Sequence, residues 1–277
     1  MKRVMIKVSG EALGNGKEKI DILKIYRICY QIKKLHDAGL EVVLVPGGGN
    51  IWRGRNGSDI EDITSDMIGM ASTLVNAYVL SYLLIDLGVD VHLTTNLSKE
   101  KIRDYDILDN TVLAKLNNDI NLIRILSRLD IENYNILKTR EHLSSKRVVV
   151  IGGGLGTPGF TTDMTVILES INLRANLILF GKSASGVFDC DPNKYPSAQK
   201  IDQLSHSDLL KNQIGVGIDT MGIMDIPAMG RLCEVPIETF VFDIRNEKVI
   251  EAIIDTIIEY PFEDIKKIEG SIIKTLV

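Results

Sequence analysis

Gly47-Gly48-Gly49-Asn50-Ile51-Trp52-Arg53-Gly54 directly follows the short apolar run 41–46, and this junction decides how the chain is read. The run predicts a strand. The three glycines after it carry no Cβ, so backbone amides there can approach an anion closely. Arg53 stands four residues beyond the last of them. Its planar fork suits a phosphate, although taken alone it reads equally as a surface arginine.

Working outward, three more glycine-bearing turns follow apolar runs. Ser9-Gly10-Glu11 ends the run 3–8, Gly152-Gly153-Gly154-Leu155-Gly156 ends 147–151, and Gly181-Lys182-Ser183 ends 177–180. In a parallel sheet such turns gather at the carboxyl ends of the strands, where helix N-termini and free amides converge. One such turn is weak evidence of a ligand; four are harder to explain by turn chemistry alone. None reads GxxxxGK[ST], and GGGLG lacks the acidic residue of a dinucleotide fingerprint.

Between the turns, Ile22, Ile25, Ile28, Ile32 and Leu35 recur at helical spacing. They predict a helix from Asp21, its cap, to Ala38, ended by Gly39. A long helix is expected from Thr64 to Leu87, capped by Thr64 or Ser65, stopped by Gly88 and apolar on nearly all sides, hence buried. Asp66 falls in its first turn. Further strands are expected at 89–95, 147–151, 177–180 and 271–277, and helices near 162–174, 205–213, 225–234 and 247–259. The alternation predicts an α/β fold, a three-layer sandwich whose mainly parallel central sheet carries helices on both faces. We expect one domain over 1–277. Residues 98–145 stand apart: polar, rich in Asn, Asp and Lys, with Leu122, Ile125, Leu126 and Leu129 at helical spacing. They read as a surface excursion or as a cover over a site.

Composition narrows the function classes. The 277 residues are 45% hydrophobic and 25% charged with a net charge of −5, and no dense Lys/Arg block is present, which argues against broad nucleic-acid binding. Three widely spaced cysteines, Cys29, Cys190 and Cys233, suggest neither a disulfide framework nor a zinc site. The short apolar run after Met1 is read as a strand rather than a secretory segment, and no membrane span, which needs ~20 apolar residues, is expected. A cytoplasmic protein with no membrane partner is expected.

Several side chains could carry chemistry. Lys7 is the only charge inside its strand, a costly position unless it meets an anion, the alternative being an edge strand with the lysine facing water. Lys182 lies in a glycine turn, where surface lysines are also common. Asp66 and Asp163 both sit near helix starts, where a cap or dipole partner is the plain reading. His36, His92, His142 and His206 show no metal or triad spacing, and no protein metal site is expected.

Taken together, Lys7-Val8-Ser9-Gly10-Glu11-Ala12-Leu13, the turn at 47–54, Asp66-Met67-Ile68-Gly69-Met70-Ala71-Ser72-Thr73, Gly156-Thr157-Pro158-Gly159-Phe160-Thr161-Thr162-Asp163 and Gly186-Val187-Phe188-Asp189-Cys190-Asp191-Pro192 closely resemble bacterial uridylate kinases of the amino-acid-kinase family. The resemblance covers most of 1–95 and 146–245. It implies ATP-dependent phosphorylation of UMP to UDP, with Mg2+ carried by ATP. It assigns catalysis to Lys7, Arg53 and Asp163. ATP would be held by Lys7, Val8, Ser9, Gly10, Gly49, Arg53, Lys182, Phe188 and Asp191. UMP would be held by Gly48, Asp66, Gly69, Thr73 and the stretch Leu155, Gly156, Thr157, Pro158, Gly159, Phe160, Thr161, Thr162. It also implies a UMP half near 1–175, an ATP half near 176–277 and a homo-oligomer, by family analogy a hexamer. Departures fall on both sides: Ala184-Ser185-Gly186 replaces Val-Asp-Gly, Leu155 stands for threonine, Gly159 for an aromatic, and 98–130 has no counterpart. Two other readings therefore remain: a phosphotransferase of this fold with another acceptor, and a nucleotide- or oxyanion-binding protein without turnover.

Overall fold

The computed structural model describes residues 2–53, 62–97, 131–192, 194–211, 224–259 and 268–275. The insertion expected at 98–130 lies outside them.

The chain opens with strand β1 (Arg3–Val8), a one-turn helix α1 (Gly10–Leu13), helix α2 (Ile22–Asp37) and strand β2 (Glu41–Pro46). Asp21 caps α2 by accepting from the Lys24 amide, as its position before the apolar stripe requires. Helix α3 (Asp62–Asp86) and strand β3 (Val91–Thr95) follow. The long helix thus starts earlier than its Thr64 or Ser65 cap predicted, and the Ser65 hydroxyl instead accepts from Trp52 Nε1 at 3.1 Å. Asp66 accordingly lies in the second turn, so the cap reading of Asp66 fails. By length and composition α3 could also cross a membrane, which the sequence reading discounted; 67% of its apolar window is buried inside the fold.

The second half contains β4 (Glu132–Asn133), α4 (Ile136–Ser144), β5 (Val148–Gly152), α5 (Thr162–Leu173) and β6 (Leu177–Lys182). A small hairpin, β7 (Val187–Phe188) with β8 (Lys200–Ile201), precedes β9 (Gln203–Ser205), α6 (His206–Lys211), α7 (Ile226–Glu234), β10 (Thr239–Asp243), α8 (Glu247–Glu259) and β11 (Ser271–Lys274).

Nine strands form one sheet in the order β4-β3-β5-β2-β1-β6-β10-β11-β9. All neighbours are parallel except β10 with β11. Alternation along β1 explains the three layers. Val4, Ile6 and Val8 point into one core with α2, α3 and α8, while Met5 points into the other with α4, α5, α6 and α7. Lys7 shares the parity of Met5, so it projects toward the face that α5 covers. From β1, the chain winds to β2 on one side and later to β6 on the other. That reversal places a crevice at the carboxyl end of β1, the usual ligand position in open parallel sheets.

Candidate active site

The glycine turns after β1, β2 and β5 converge at that crevice with the end of β6, because the four strands are consecutive in the sheet; Gly181 and Lys182, expected in a turn, instead continue β6, paired with Phe242 and Asp243. Their packing needs glycine. A Cβ on Gly10 would meet the Gly49 amide nitrogen at 2.6 Å, and one on Gly48 the Gly69 carbonyl oxygen at 2.7 Å. The first and second turns therefore touch backbone to backbone, and the second lies directly against α3.

Asn76, a fully buried side chain within apolar α3, fixes the second turn. It donates to the Gly47 carbonyl and to Asn50 Oδ1, both at 2.7 Å, and accepts from Asn50 Nδ2 at 3.1 Å. Sequence reading overlooked this residue, although an asparagine in a nearly all-apolar helix was the available signal.

Lys7 meets a carboxylate. Its Nζ lies 2.6 Å from Asp163 Oδ1, with side-chain exposures of 10% and 16%, and 5.2 Å over the Phe180 ring centroid. Asp163 is positioned by the start of α5, where the Thr161 side chain accepts from the Asp163 and Met164 amides. Thr161 is itself tied to Asp225, the cap of α7. The edge-strand alternative for Lys7 is thereby removed, since β1 is central in the sheet. Lys182, at the end of neighbouring β6, joins this charged group. Burial above all, and then the Lys7 charge, pull its ammonium down to about 7, with Asp163 opposing.

Arg53 forms an ion pair with Glu11 across the first two turns, and Glu11 also accepts from Ser183 Oγ at 3.2 Å. Glu11, absent from the expected site residues, thus links three turns.

Beside these groups a cavity of about 630 Å3 opens between α3 and the loop entering α5. Gly48, Asp66, Gly69, Thr73, Gly159, Phe160, Thr161 and Thr162, expected on the UMP side, line it together with Gly49, expected on the ATP side, and Trp52, Asp62, Ser65, Met70 and Gly154. Asp66 Oδ2 accepts from the Gly159 amide at 2.6 Å, closing one wall. Thr73 accepts from the Gly153 amide at 2.9 Å, tying α3 to the third turn. Leu155, Gly156, Thr157 and Pro158 are not among the lining residues; Leu155 packs on the α5-side core instead. Phe188 and Asp191 are likewise not brought to this cavity: Phe188 belongs to the β7–β8 hairpin and Asp191 to the bend after it.

Two of the four histidines, without metal spacing in the sequence, meet in the fold. His92 on β3 and His142 on α4 stack with ring centroids 3.6 Å apart, and with Glu132 they form a group whose geometry could hold a metal ion. The cluster lies outside the crevice.

A parallel sheet whose glycine turns meet a buried lysine–aspartate pair defines a phosphotransferase scaffold. The chain matches the amino acid kinase family over residues 2–243, and it belongs to that family. Among solved structures it is similar to a UMP kinase from Bacillus anthracis, with a TM-score of 0.77, 26% identity, and coverage of 100% of this chain and 97% of that one. A UMP kinase from Ureaplasma parvum shares the fold, with a TM-score of 0.75, 24% identity, and 99% of each chain covered.

Proposed function

We propose that this protein transfers the γ-phosphoryl group of ATP to UMP, giving ADP and UDP. The Lys7–Asp163 pair carries the reading, because it fixes a buried ammonium at the crevice, one residue from the cavity wall at Thr162. A UMP phosphate oxygen would form a bond to the γ-phosphorus as the bond to the departing ADP oxygen breaks, with no covalent enzyme intermediate. Such transfer asks for positioning and charge neutralisation above all. Lys7, held by Asp163, would meet the transferring group, with Lys182 beside it. Arg53 would leave Glu11 for phosphate, and the bare amides of Gly10 and Gly49 would close on it. Asp66 keeps its second oxygen for ribose hydroxyls. Mg2+ arriving with ATP would add charge neutralisation at the phosphates. Asp163 stays engaged by Lys7, which suits an ion held mainly by ATP.

ATP would lie on the β6 side, with Phe188 and Asp191 toward adenosine, and UMP in the cavity beside α3. A cytoplasmic homo-oligomer working on free nucleotides completes the proposal. One observation favours a different acceptor: Gly159 lines the cavity, and a Cβ there would meet nothing within 4 Å. That is added room where the resemblance has an aromatic. An ADP-release assay with UMP, CMP, dUMP and no acceptor decides between the readings. We expect UMP to exceed every other acceptor at least tenfold. A different best acceptor selects the second reading, and nucleotide binding without turnover would sink both.

A further inference from the structure

A second cavity, of about 220 Å3, lies between α2 and the junction of β10 with α8. Lys24, Arg27, Ile28 and Gln31 recur on one stripe of α2 and form one wall; Ile244, Arg245 and Glu247 form the other. Gln31 is the informative residue. It is 1% exposed, and neither its amide nitrogen nor its amide oxygen has a hydrogen-bond partner. Buried amides are nearly always paired, and an apolar residue would fill the same space without that penalty.

Charge points the same way. Three cations line the cavity against one acid, Glu247. Arg245 is paired with Asp243 at 2.7 Å, Lys24 Nζ donates to the Gly14 carbonyl at 3.1 Å, and Arg27 has no carboxylate partner among the described residues. The wall at 245–247 is also the N-terminus of α8, where the helix dipole favours an anion even though the Arg245, Asn246, Lys248 and Val249 amides are already bonded to Asp243 and Asn246. At about 220 Å3 the space is below the roughly 300–1,000 Å3 of drug-sized sites, too small for a nucleotide.

We infer that this cavity binds a small phosphate-bearing anion, its oxyanion held by Arg27, Lys24 and Arg245 and a hydroxyl of the same molecule paired with the Gln31 amide. A phosphate monoanion or a short phosphorylated polyol carries both groups. Arg245 Nη2 donates to the Ser183 carbonyl at 2.8 Å, so the site adjoins the turn that follows β6 from behind. The inference is independent of which acceptor the crevice phosphorylates.

Equilibrium dialysis with radiolabelled inorganic phosphate, at constant ionic strength, tests it on the full chain. Lys7→Ala provides a background with the crevice weakened. In that background phosphate should still bind, and adding either Arg27→Glu or Gln31→Leu should weaken it at least tenfold. Competition with glycerol 2-phosphate distinguishes the sources: displacement at lower concentration than free phosphate identifies a phosphorylated polyol, and equal or weaker displacement identifies phosphate itself. Gln31→Leu should melt no lower than its parent without phosphate. Binding that vanishes with Lys7→Ala alone, or that ignores both added substitutions, would overturn the inference. So would the absence of binding by both anions.

Discussion

Lys182 shows how much one residue can reveal. On the sequence it is a lysine in a glycine turn, with nothing to separate it from a surface residue. In the fold it is partly buried at the end of β6 beside Lys7, and its ammonium is held near 7. The sign of the consequence follows from linkage. Above about pH 7 the free protein holds Lys182 mostly neutral, whereas bound polyphosphate favours the protonated form. Nucleotide binding therefore takes up a proton, and affinity falls as pH rises from about 7 towards the ordinary lysine range. One linked proton sets a limit of about tenfold per pH unit. Calorimetry in buffers of different ionisation enthalpy should find proton uptake on ATP binding at pH 8, absent in Lys182→Met. Equal uptake in both proteins would refute this role for Lys182.

At the scale of elements, the crevice depends on how α3 holds the second glycine turn. Asn76 satisfies the Gly47 carbonyl and Asn50 from inside the helix. Replacing it with alanine leaves buried polar groups unpaired, at a cost of about 1–3 kcal/mol. Denaturant unfolding of Asn76→Ala should register that loss, with a higher KM for both nucleotides. Unchanged stability would mean that the turn is held elsewhere. Local signals located the strand-to-turn junctions well, because apolar runs and glycines are adjacent in the chain. The start of α3 was misplaced because Ser65, a good cap by type, is taken by Trp52. The β4 strand, the β7–β8 hairpin, β9 and β10 were missed: strands of two or three residues are too short to show periodicity, and β10, though five residues long, is a brief apolar run with no glycine turn after it to mark its end.

For the whole molecule, the α/β layering and the meeting of the strand ends followed from alternation, although Gly181 and Lys182 extend β6 where a turn was expected. The partnerships across the sheet did not. Lys7 with Asp163, Asp66 with Gly159 and Thr73 with Gly153 join residues far apart in sequence, and strand order alone brings them together. The same is true of His92 with His142, whose spacing gave no hint of contact. The resemblance named both members of the first pair, yet spacing could not have supplied its geometry. That pair is where the functional reading stands or falls. Phosphorus-31 NMR of the protein with ATP, Mg2+ and UMP reads it directly. The wild type should convert the γ-phosphate of ATP into the β-phosphate of UDP, and Lys7→Ala should slow this by at least a hundredfold while remaining folded. No UDP from the wild type, or equal rates from both, would contradict the account.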